Sequence, residues 1–232
     1  FTFSLKQATL FDNGLVGLTT VTMYDEASTD SFRSTDWNFS ASTAGQGDVL
    51  TNGALLVTED ARIDGDVTAA TISGSSRITG LKTITSTVTN FLPVAIPSGI
   101  QNIGAINLSS GATHTLGTGS YVVSGITIRW GSGLVIDNRD GPVTLYVTGP
   151  ISISGTGSVT MTDPDPERFA IYVTNASLVT LSGSGKLYGL LYAPLSPVKL
   201  SGYSDIYGSL VGLSMTLFHT ADVHYDIALR GQ

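Results

Sequence analysis

Apolar residues recur in this chain at short, fixed intervals that are interrupted by glycine. The clearest stretch covers residues 181–189 and is repeated, with the same local pattern, at residues 200–208. Each copy has an apolar residue, Ser-Gly, three variable positions and a second apolar residue six positions after the first. A looser third copy covers residues 217–223. Short apolar runs punctuated by glycine are typical of strands joined by tight corners.

The repeat predicts a stack of similar units. Its defining residues are Leu181, Gly183, Leu187, Gly189, Leu200, Gly202, Ile206, Gly208, Leu217 and Val223. A single strand–corner–strand unit cannot bury its apolar side alone, so copies must stack on one another. We therefore predict an all-β, single-domain right-handed parallel β-helix, or β-solenoid. The first apolar residues of the copies should form one interior column, and the second apolar residues another.

The ends of the chain differ in how well they fit this pattern. Residues 1–40 match the repeat poorly, and their isolated aromatic residues are Phe32, Trp37 and Phe39. Because terminal repeats of solenoids are usually atypical, we expect an N-terminal cap or edge region here. An aromatic ligand-binding shelf is the alternative. Residues 41–232 should form one continuous β-helix, with the proline-broken segment 91–99 as a connection that runs along it.

Composition narrows the possible functions. The formal net charge is −7 and the basic residues are scattered singly, which disfavours direct nucleic-acid binding. The absence of cysteine excludes disulfides and thiolate metal sites. No apolar run approaches the roughly 18 residues of a membrane-spanning helix, so the apolar residues belong to a core. The chain opens at Phe1 without a signal-peptide pattern, which we interpret as a mature or trimmed sequence.

Carboxylates offer the best candidates for a metal site. Asp163, Asp165 and Glu167 lie within five residues of one another and could hold a structural Ca²⁺. Prolines alternate with them, so a stiff exposed excursion is the competing interpretation. Apart from this possible Ca²⁺, we predict no cofactor.

Catalytic constellations are scarce. Asp137, Arg139 and Asp140 could be arranged as in a polysaccharide lyase, although Asp-Asn-Arg-Asp-Gly is also ordinary turn chemistry. The three histidines, His114, His219 and His224, do not show the spacing of a ligand pair and are expected to be structural. We therefore predict no catalytic residues and a protein that is not an enzyme.

Threonine alternation raises one further possibility. Residues 83, 85, 87 and 89 are all threonine and would share one side of a strand. A regular Thr-x-Thr ladder would suggest ice binding. Along the sequence, however, the array does not recur in successive coils, and the pattern therefore gives ice binding little support.

Several segments together resemble a known bacterial family. They are residues 189–194, 198–202, 206–211 and 224–226, with Leu229 near the end. In this combination the chain resembles the extracellular β-solenoid domain of PilX-type pilus-assembly proteins and of other large, minor-pilin-like surface proteins. The resemblance covers most of the chain and is densest at residues 142–229.

The resemblance implies a non-enzymatic structural or adhesive module at the bacterial cell surface, associated with a type IV pilus. Its partners would be other pilus or envelope proteins, or surface glycans, and it would reach the membrane only through an N-terminal helix that is missing here. The alternative is a carbohydrate-active β-helix that binds or cleaves a polysaccharide. The resemblance supplies no catalytic residues.

Overall fold

Parallel β-strands make up nearly all of the regular structure in the computed structural model, which describes residues 11–34, 45–163 and 165–230. Within these residues the strands are β1 (Leu15–Met23), β2 (Ser28–Phe32), β3 (Val49–Thr51), β4 (Ala54–Val57), β5 (Arg62–Ile63), β6 (Val67–Ala69), β7 (Thr71–Ser73), β8 (Lys82–Ile84), β9 (Gln101–Leu108), β10 (Thr113–Gly117), β11 (Gly119–Ile128), β12 (Gly133–Asp137), β13 (Val143–Val147), β14 (Ile151–Ile153), β15 (Ser158–Met161), β16 (Phe169–Val173), β17 (Val179–Leu181), β18 (Lys186–Leu200), β19 (Asp205–Leu217) and β20 (Asp222–Asp226). Short 3-10 turns lie at Ser75–Arg77, Pro166–Arg168 and Ile227–Leu229. In the described part of the chain, no helix is long and apolar enough to cross a bilayer.

The strands pair in three parallel ladders, and we name each ladder by the surface it presents. The hydroxyl face contains, in spatial order, parts of β9, β11, β14, β17, β18, β19, β1, β4 and β7. The charged face contains parts of β10, β12, β15, β18, β19, β20, β2 and β5. The covered face contains parts of β9, β11, β13, β16, β18, β19, β1, β3, β6 and β8. Long strands such as β18 bend at corners and contribute to all three ladders.

Inward side chains from the three ladders form one apolar core. Leu181, Leu200 and Leu217 are successive partners on the hydroxyl face. Leu187, Ile206 and Val223 are successive partners on the charged face. All six are buried and belong to the same core cluster. Burial of such columns supplies most of the stabilisation, at about 25 cal/mol per Å² of apolar surface.

The repeated glycines lie at corners where neighbouring coils touch. Gly189 and Gly208 are partners in adjacent coils, with φ of 125° and 143°. A Cβ on Gly208 would lie 2.1 Å from the carbonyl oxygen of Gly189, which no side chain could tolerate. The closing glycine of the repeat is therefore required by both backbone conformation and space.

The order of the coils in space differs from their order in the sequence. β1 lies between β19 and β3, and β2 lies between β20 and β5. The coil at residues 15–32 thus joins the C-terminal coil to the coil at residues 49–63.

The sequence predicted an N-terminal cap at residues 1–40. Residues 1–10 and 35–40 of this segment, which include Trp37 and Phe39, lie outside the described residues. Strands β1 and β2 occupy the middle of the stack and do not cover an end.

Residues 85–100 connect the two ends of the stack. β8 is the last rung of the covered face at one end and β9 is the first rung at the other. Nine steps of about 4.8 Å separate them, and sixteen extended residues at about 3.3 Å each are long enough to span that distance. The segment is held by Asn52, which bonds the backbone of Thr89, and by Tyr192, whose hydroxyl donates to the carbonyl of Leu92 at 2.8 Å. It runs along the stack, as its prolines predicted.

The structure confirms the prediction of an all-β chain with parallel strand pairing. Outward residues of the covered face are shielded by a second apolar cluster, which includes Phe11, Tyr192, Tyr225, Ile227 and Leu229. The hydroxyl face and the charged face present their outward residues to solvent.

Candidate functional site

Hydroxyl-bearing side chains line up along the outer surface of the hydroxyl face. One outward position, which lies between two buried apolar residues on all but the two end rungs, is occupied in successive rungs by Asn107, Thr127, Ser152, Thr180, Lys199, Thr216, Thr22, Leu56 and Ser73. Each of these side chains is exposed or half-exposed. Six of the nine carry a hydroxyl group, which lies on a regular backbone ladder with rungs about 4.8 Å apart.

A second outward column lies two residues earlier on the same strands. Its residues are Ala105, Gly125, Pro150, Leu178, Pro197, Ser214, Thr20, Ala54 and Thr71. These residues are small or apolar, and all are uncharged. The two columns lie about 7 Å apart, because side chains on one side of a strand are separated by two residues. Together they make a narrow surface of methyl and hydroxyl groups on which Lys199 is the one charged residue.

Lys199 is directed toward one margin of this surface. Its Nζ lies 5.1 Å from the ring centroid of Phe218, which is a cation–π contact. Phe218 also stacks on Tyr24, with the ring centroids 5.2 Å apart. Both aromatic residues directly follow strands of the hydroxyl face, so they mark the corner at which that face ends.

The threonine array singled out in the sequence does not recur, but hydroxyl residues at other positions do repeat from rung to rung. Thr83 lies on the terminal rung β8, and Thr85, Thr87 and Thr89 lie in or beside the connection, away from the recurring column. The recurring residues are unequally spaced in the sequence because the loops between coils differ in length. The N-terminal coils are also out of order, so no single period could reveal the column. Only the strand register brings Thr22 beside Thr216.

The charged face has the same ladder geometry but different chemistry. Lys186 pairs with Asp205 at 2.8 Å, and the Nδ1–H of His224 donates to Asp30 at 2.5 Å. Tyr188, Tyr207 and His224 stack in sequence, with successive centroids 4.6 Å apart. Burial lowers the pKa of His224, but its hydrogen bond to Asp30 and the nearby carboxylates outweigh burial and raise the pKa above its ordinary value.

Two of the three carboxylates predicted to hold Ca²⁺ have partners within their own loop. Asp163 pairs with Arg168 at 2.6 Å, and Asp165 accepts a hydrogen bond from the backbone N–H of Glu167 at the start of the 3-10 turn. Burial raises the pKa of both Asp165 and Glu167. Pro164 lies outside the described residues. Calcium binding by this loop stays a prediction.

The residues considered for lyase chemistry form a local ion pair. Arg139 donates two hydrogen bonds to Asp137, at 2.8 and 2.7 Å, and Thr162 donates a third. The hydrogen bonds from Arg139 are the largest cause of a pKa well below the usual range for Asp137. Asp137 is therefore an ionised, partnered carboxylate at an exposed corner.

The three histidines lie in three different environments. His114 lies on β10, in register with the buried Leu134. His219 occupies a corner at φ 59°, and its backbone N–H donates to Asp25. His224 lies on β20 within the charged face. Sequence reasoning missed the surroundings of His224, because Asp30 is 194 residues away in the chain.

Solved structures with a similar fold are ice-binding proteins. One is from the Antarctic ascomycete Antarctomyces psychrotrophicus, with a TM-score of 0.59, 14% identity, and coverage of 95% of this chain and 97% of that one. Another is a glycosylated ice-binding protein from an Arctic yeast, with a TM-score of 0.57, 15% identity and coverage of 97% and 95%. A third is ice-binding protein 1 of Shewanella frigidimarina, with a TM-score of 0.56, 11% identity and coverage of 96% and 97%. At these identities the likeness establishes the fold alone. None of the curated proteins matches the chain.

These neighbours correct the resemblance drawn from the sequence. The assignment to PilX-type or minor-pilin-like proteins is wrong, as is the predicted function of a pilus-associated adhesive module. The carbohydrate-active alternative is not supported either. The motifs behind the resemblance encode strands and glycine corners of stacked coils, and these are features of the fold. Each neighbour is described as an ice-binding protein and none as an enzyme, which agrees at the level of fold with the prediction of a non-enzymatic protein.

The sequence of the chain matches the model of one protein family. The model is described as a domain of unknown function, DUF7305, and it matches residues 100–232. The matched region is more than half of the chain and contains every strand from β9 to β20. The chain therefore belongs to the DUF7305 family.

Proposed function

We propose that this protein binds ice through its hydroxyl face. The observation that carries the proposal is the outward column in which Thr127, Ser152 and Thr180 are followed, after Lys199, by Thr216 and Thr22. The fold likeness to several ice-binding proteins supports the same function.

The chemistry of the column suits an ordered layer of water. A threonine hydroxyl can donate one hydrogen bond and accept two, so it can replace a water molecule in a hydrogen-bonded lattice. The adjacent methyl groups and the small residues of the second column offer water few competing polar contacts. Because the backbone ladder fixes the spacing, the protein loses little conformational entropy when the surface is occupied.

Charge separates this face from the other solvent-exposed face. An ammonium or carboxylate group orients nearby water around itself, which opposes the tetrahedral order of ice. The hydroxyl face carries only Lys199 in its two outward columns, and that charge is drawn toward Phe218. The charged face carries Lys186, Asp205, Asp222 and His224 on comparable positions. The hydroxyl face is therefore the better ice-binding surface.

We extend the proposal to the handedness of the fold and to the place where the protein acts. The three ladders are interpreted as a right-handed parallel β-helix whose flat side forms the binding surface. The activity requires no catalytic residue and no cofactor, because the surface itself is the binding site. Since ice forms first outside cells, we propose that the protein acts in the extracellular space.

A bulky substitution on the hydroxyl column tests the proposal. In Thr180→Tyr, the ring should stand above the column and keep ice from the neighbouring rungs. We expect thermal hysteresis to fall by more than half and partition into slowly growing ice to fall with it. The matched control is Thr160→Tyr, because Thr160 is a half-exposed outward residue of the charged face.

The control separates loss of binding from loss of structure. Both variants should unfold within about 0.5 kcal/mol of the wild type, as is usual for surface substitutions. Equal hysteresis in both variants would show that the hydroxyl face is not the binding surface. If the wild-type protein neither partitions into ice nor shows hysteresis, the proposed function is wrong.

A further inference from the structure

A compact set of nitrogen and oxygen ligands lies on the charged face, away from the hydroxyl column. Asp205, Asp222 and His224 each offer one ligand atom, and these atoms all lie within 4.8 Å of one another. In the described part of the chain, this is the one group of three such ligands that comes so close together. All three side chains are half-buried.

The strand register explains how these residues come together. Asp205 and Asp222 are partners on adjacent strands β19 and β20, so their side chains occupy neighbouring rungs. His224 lies two residues after Asp222 on the same side of β20. The sequence places Asp205 far enough from His224 that no short metal-binding motif is visible.

The histidine ring is held in an orientation that suits metal binding. Its Nδ1–H donates to Asp30 at 2.5 Å, and its ring stacks on Tyr207 with centroids 4.6 Å apart. Because Nδ1 is bonded to Asp30, a metal at this cluster would have to bind Nε2. In zinc sites, a carboxylate commonly accepts a hydrogen bond from the other ring nitrogen of a ligating histidine and so fixes its orientation.

We propose that Asp205, Asp222 and His224 form a binding site for a divalent transition metal of the zinc type, with Asp30 as a positioning residue. One imidazole and two carboxylates are ligands that Zn²⁺ accepts, and water would complete a tetrahedral site. Bonds of about 2.0–2.2 Å place tetrahedral ligands roughly 3.4 Å apart, so ligand atoms that lie within 4.8 Å of one another must draw closer when the metal binds. The site would join β19 to β20 and, through Asp30, to β2, where the C-terminal and N-terminal coils meet.

Two existing contacts compete with the metal. Lys186 pairs with Asp205 at 2.8 Å, and the hydroxyl of Ser28 donates to Asp222 at 2.5 Å. The ammonium group occupies part of the space around Asp205 and opposes a second cation. Removal of that ammonium group should therefore strengthen metal binding, whereas a purely structural ion-pair network would only be weakened by the change.

Titration of the metal-free protein with ZnCl₂ tests the site. Calorimetry should show one binding event, and the melting temperature should rise with Zn²⁺ and fall again on adding EDTA. We expect His224→Gln to weaken Zn²⁺ binding at least 100-fold. Asp30→Asn should weaken it about 10–100-fold, as is usual when the carboxylate that orients a ligating histidine is removed. Lys186→Met should bind Zn²⁺ several-fold more tightly. Co²⁺ should give the visible absorption of a tetrahedral site, lost in His224→Gln.

His219→Gln is the matched control, since His219 is an exposed histidine at a separate corner. It should bind Zn²⁺ as the wild type does. The proposal is overturned if the wild type shows no Zn²⁺-dependent change, or if His219→Gln loses as much affinity as His224→Gln. Folding of each metal-free variant is checked by its far-ultraviolet circular dichroism. A Lys186→Met variant that folds but does not bind more tightly would also contradict the arrangement.

Discussion

The hydroxyl face and the charged face are built on the same backbone but present opposite chemistry to water. Both are parallel ladders with buried aliphatic residues below them, and several strands contribute to both. On the hydroxyl face, the outward residues are mainly Thr, Ser and small apolar residues. On the charged face, Lys186, Asp205, Asp222 and His224 form pairs across neighbouring rungs. The fold fixes where an outward residue stands, and the side chain alone decides what that position can bind.

The largest expected effect comes from the interior that the two faces share. Leu200 is fully buried on the hydroxyl face, between Leu181 and Leu217. Leu200→Asp would place a charge in the apolar core without a partner, which costs several kcal/mol. We expect this variant to be unfolded at 25 °C by circular dichroism, with loss of ice binding and of Zn²⁺ binding together.

The matched substitution for that experiment is Lys199→Asp, at the adjacent outward position. It should remain folded, because Lys199 is exposed and the strand alternation directs it to solvent. A folded Leu200→Asp variant with the wild-type melting temperature would show that the register of β18 is wrong.

The sequence predicted the strand content and the interior columns because these depend on local pattern. A period of two within strands and glycine at corners can be read from any single repeat, as at Leu187 and Gly189. The position of β1 beside β19 could not be predicted in the same way. It depends on how coils distant in the sequence dock, and no local residue pattern encodes that choice.

The candidate sites were hidden for the same reason. The column through Thr22 and Thr216 combines residues from the two ends of the chain, as does the contact between Asp30 and His224, whereas the three proposed metal ligands all lie between residues 205 and 224. The predicted Ca²⁺ loop at Asp163, by contrast, was visible because its residues are adjacent. Its carboxylate proved to have a nearby partner in Arg168. The contacts that the sequence did not show depend on the long-range register of the strands, whereas calcium binding by the loop stays a prediction.

The next effect comes from tyrosines that pack in the second apolar cluster. Burial raises the pKa of Tyr172, Tyr192 and Tyr225 to about 12. In the unfolded chain these phenols have a pKa of about 10, so the folded state holds their protons more tightly. Their contribution to stability is fully present below about pH 10 and is lost as the pH rises toward 12. We expect cooperative unfolding in that range.

Absorbance of tyrosinate and circular dichroism, recorded together against pH, measure this effect. Circular dichroism should change together with the part of the tyrosinate signal that comes from the buried rings, because their ionisation requires them to become exposed. In Tyr192→Phe the midpoint should move to higher pH, since one titrating group is removed, even though the hydrogen bond to Leu92 is also lost. Ionisation of all nine tyrosines before any loss of structure would contradict the assigned burial.

The smallest expected effect comes from removing the one charge in the two outward columns of the hydroxyl face. Lys199 lies in the hydroxyl column between Thr180 and Thr216. Lys199→Thr would continue the column and remove the ammonium group, so we expect thermal hysteresis to increase, with the free energy of unfolding changed by no more than about 0.5 kcal/mol. Loss of the cation–π contact with Phe218 should lower the free energy of unfolding by a similarly small amount.

Lys186→Thr makes the same substitution on the charged face and should leave hysteresis unchanged. If Lys199→Thr lowers hysteresis, or if both substitutions raise it equally, then net charge and not the composition of the hydroxyl column governs ice binding.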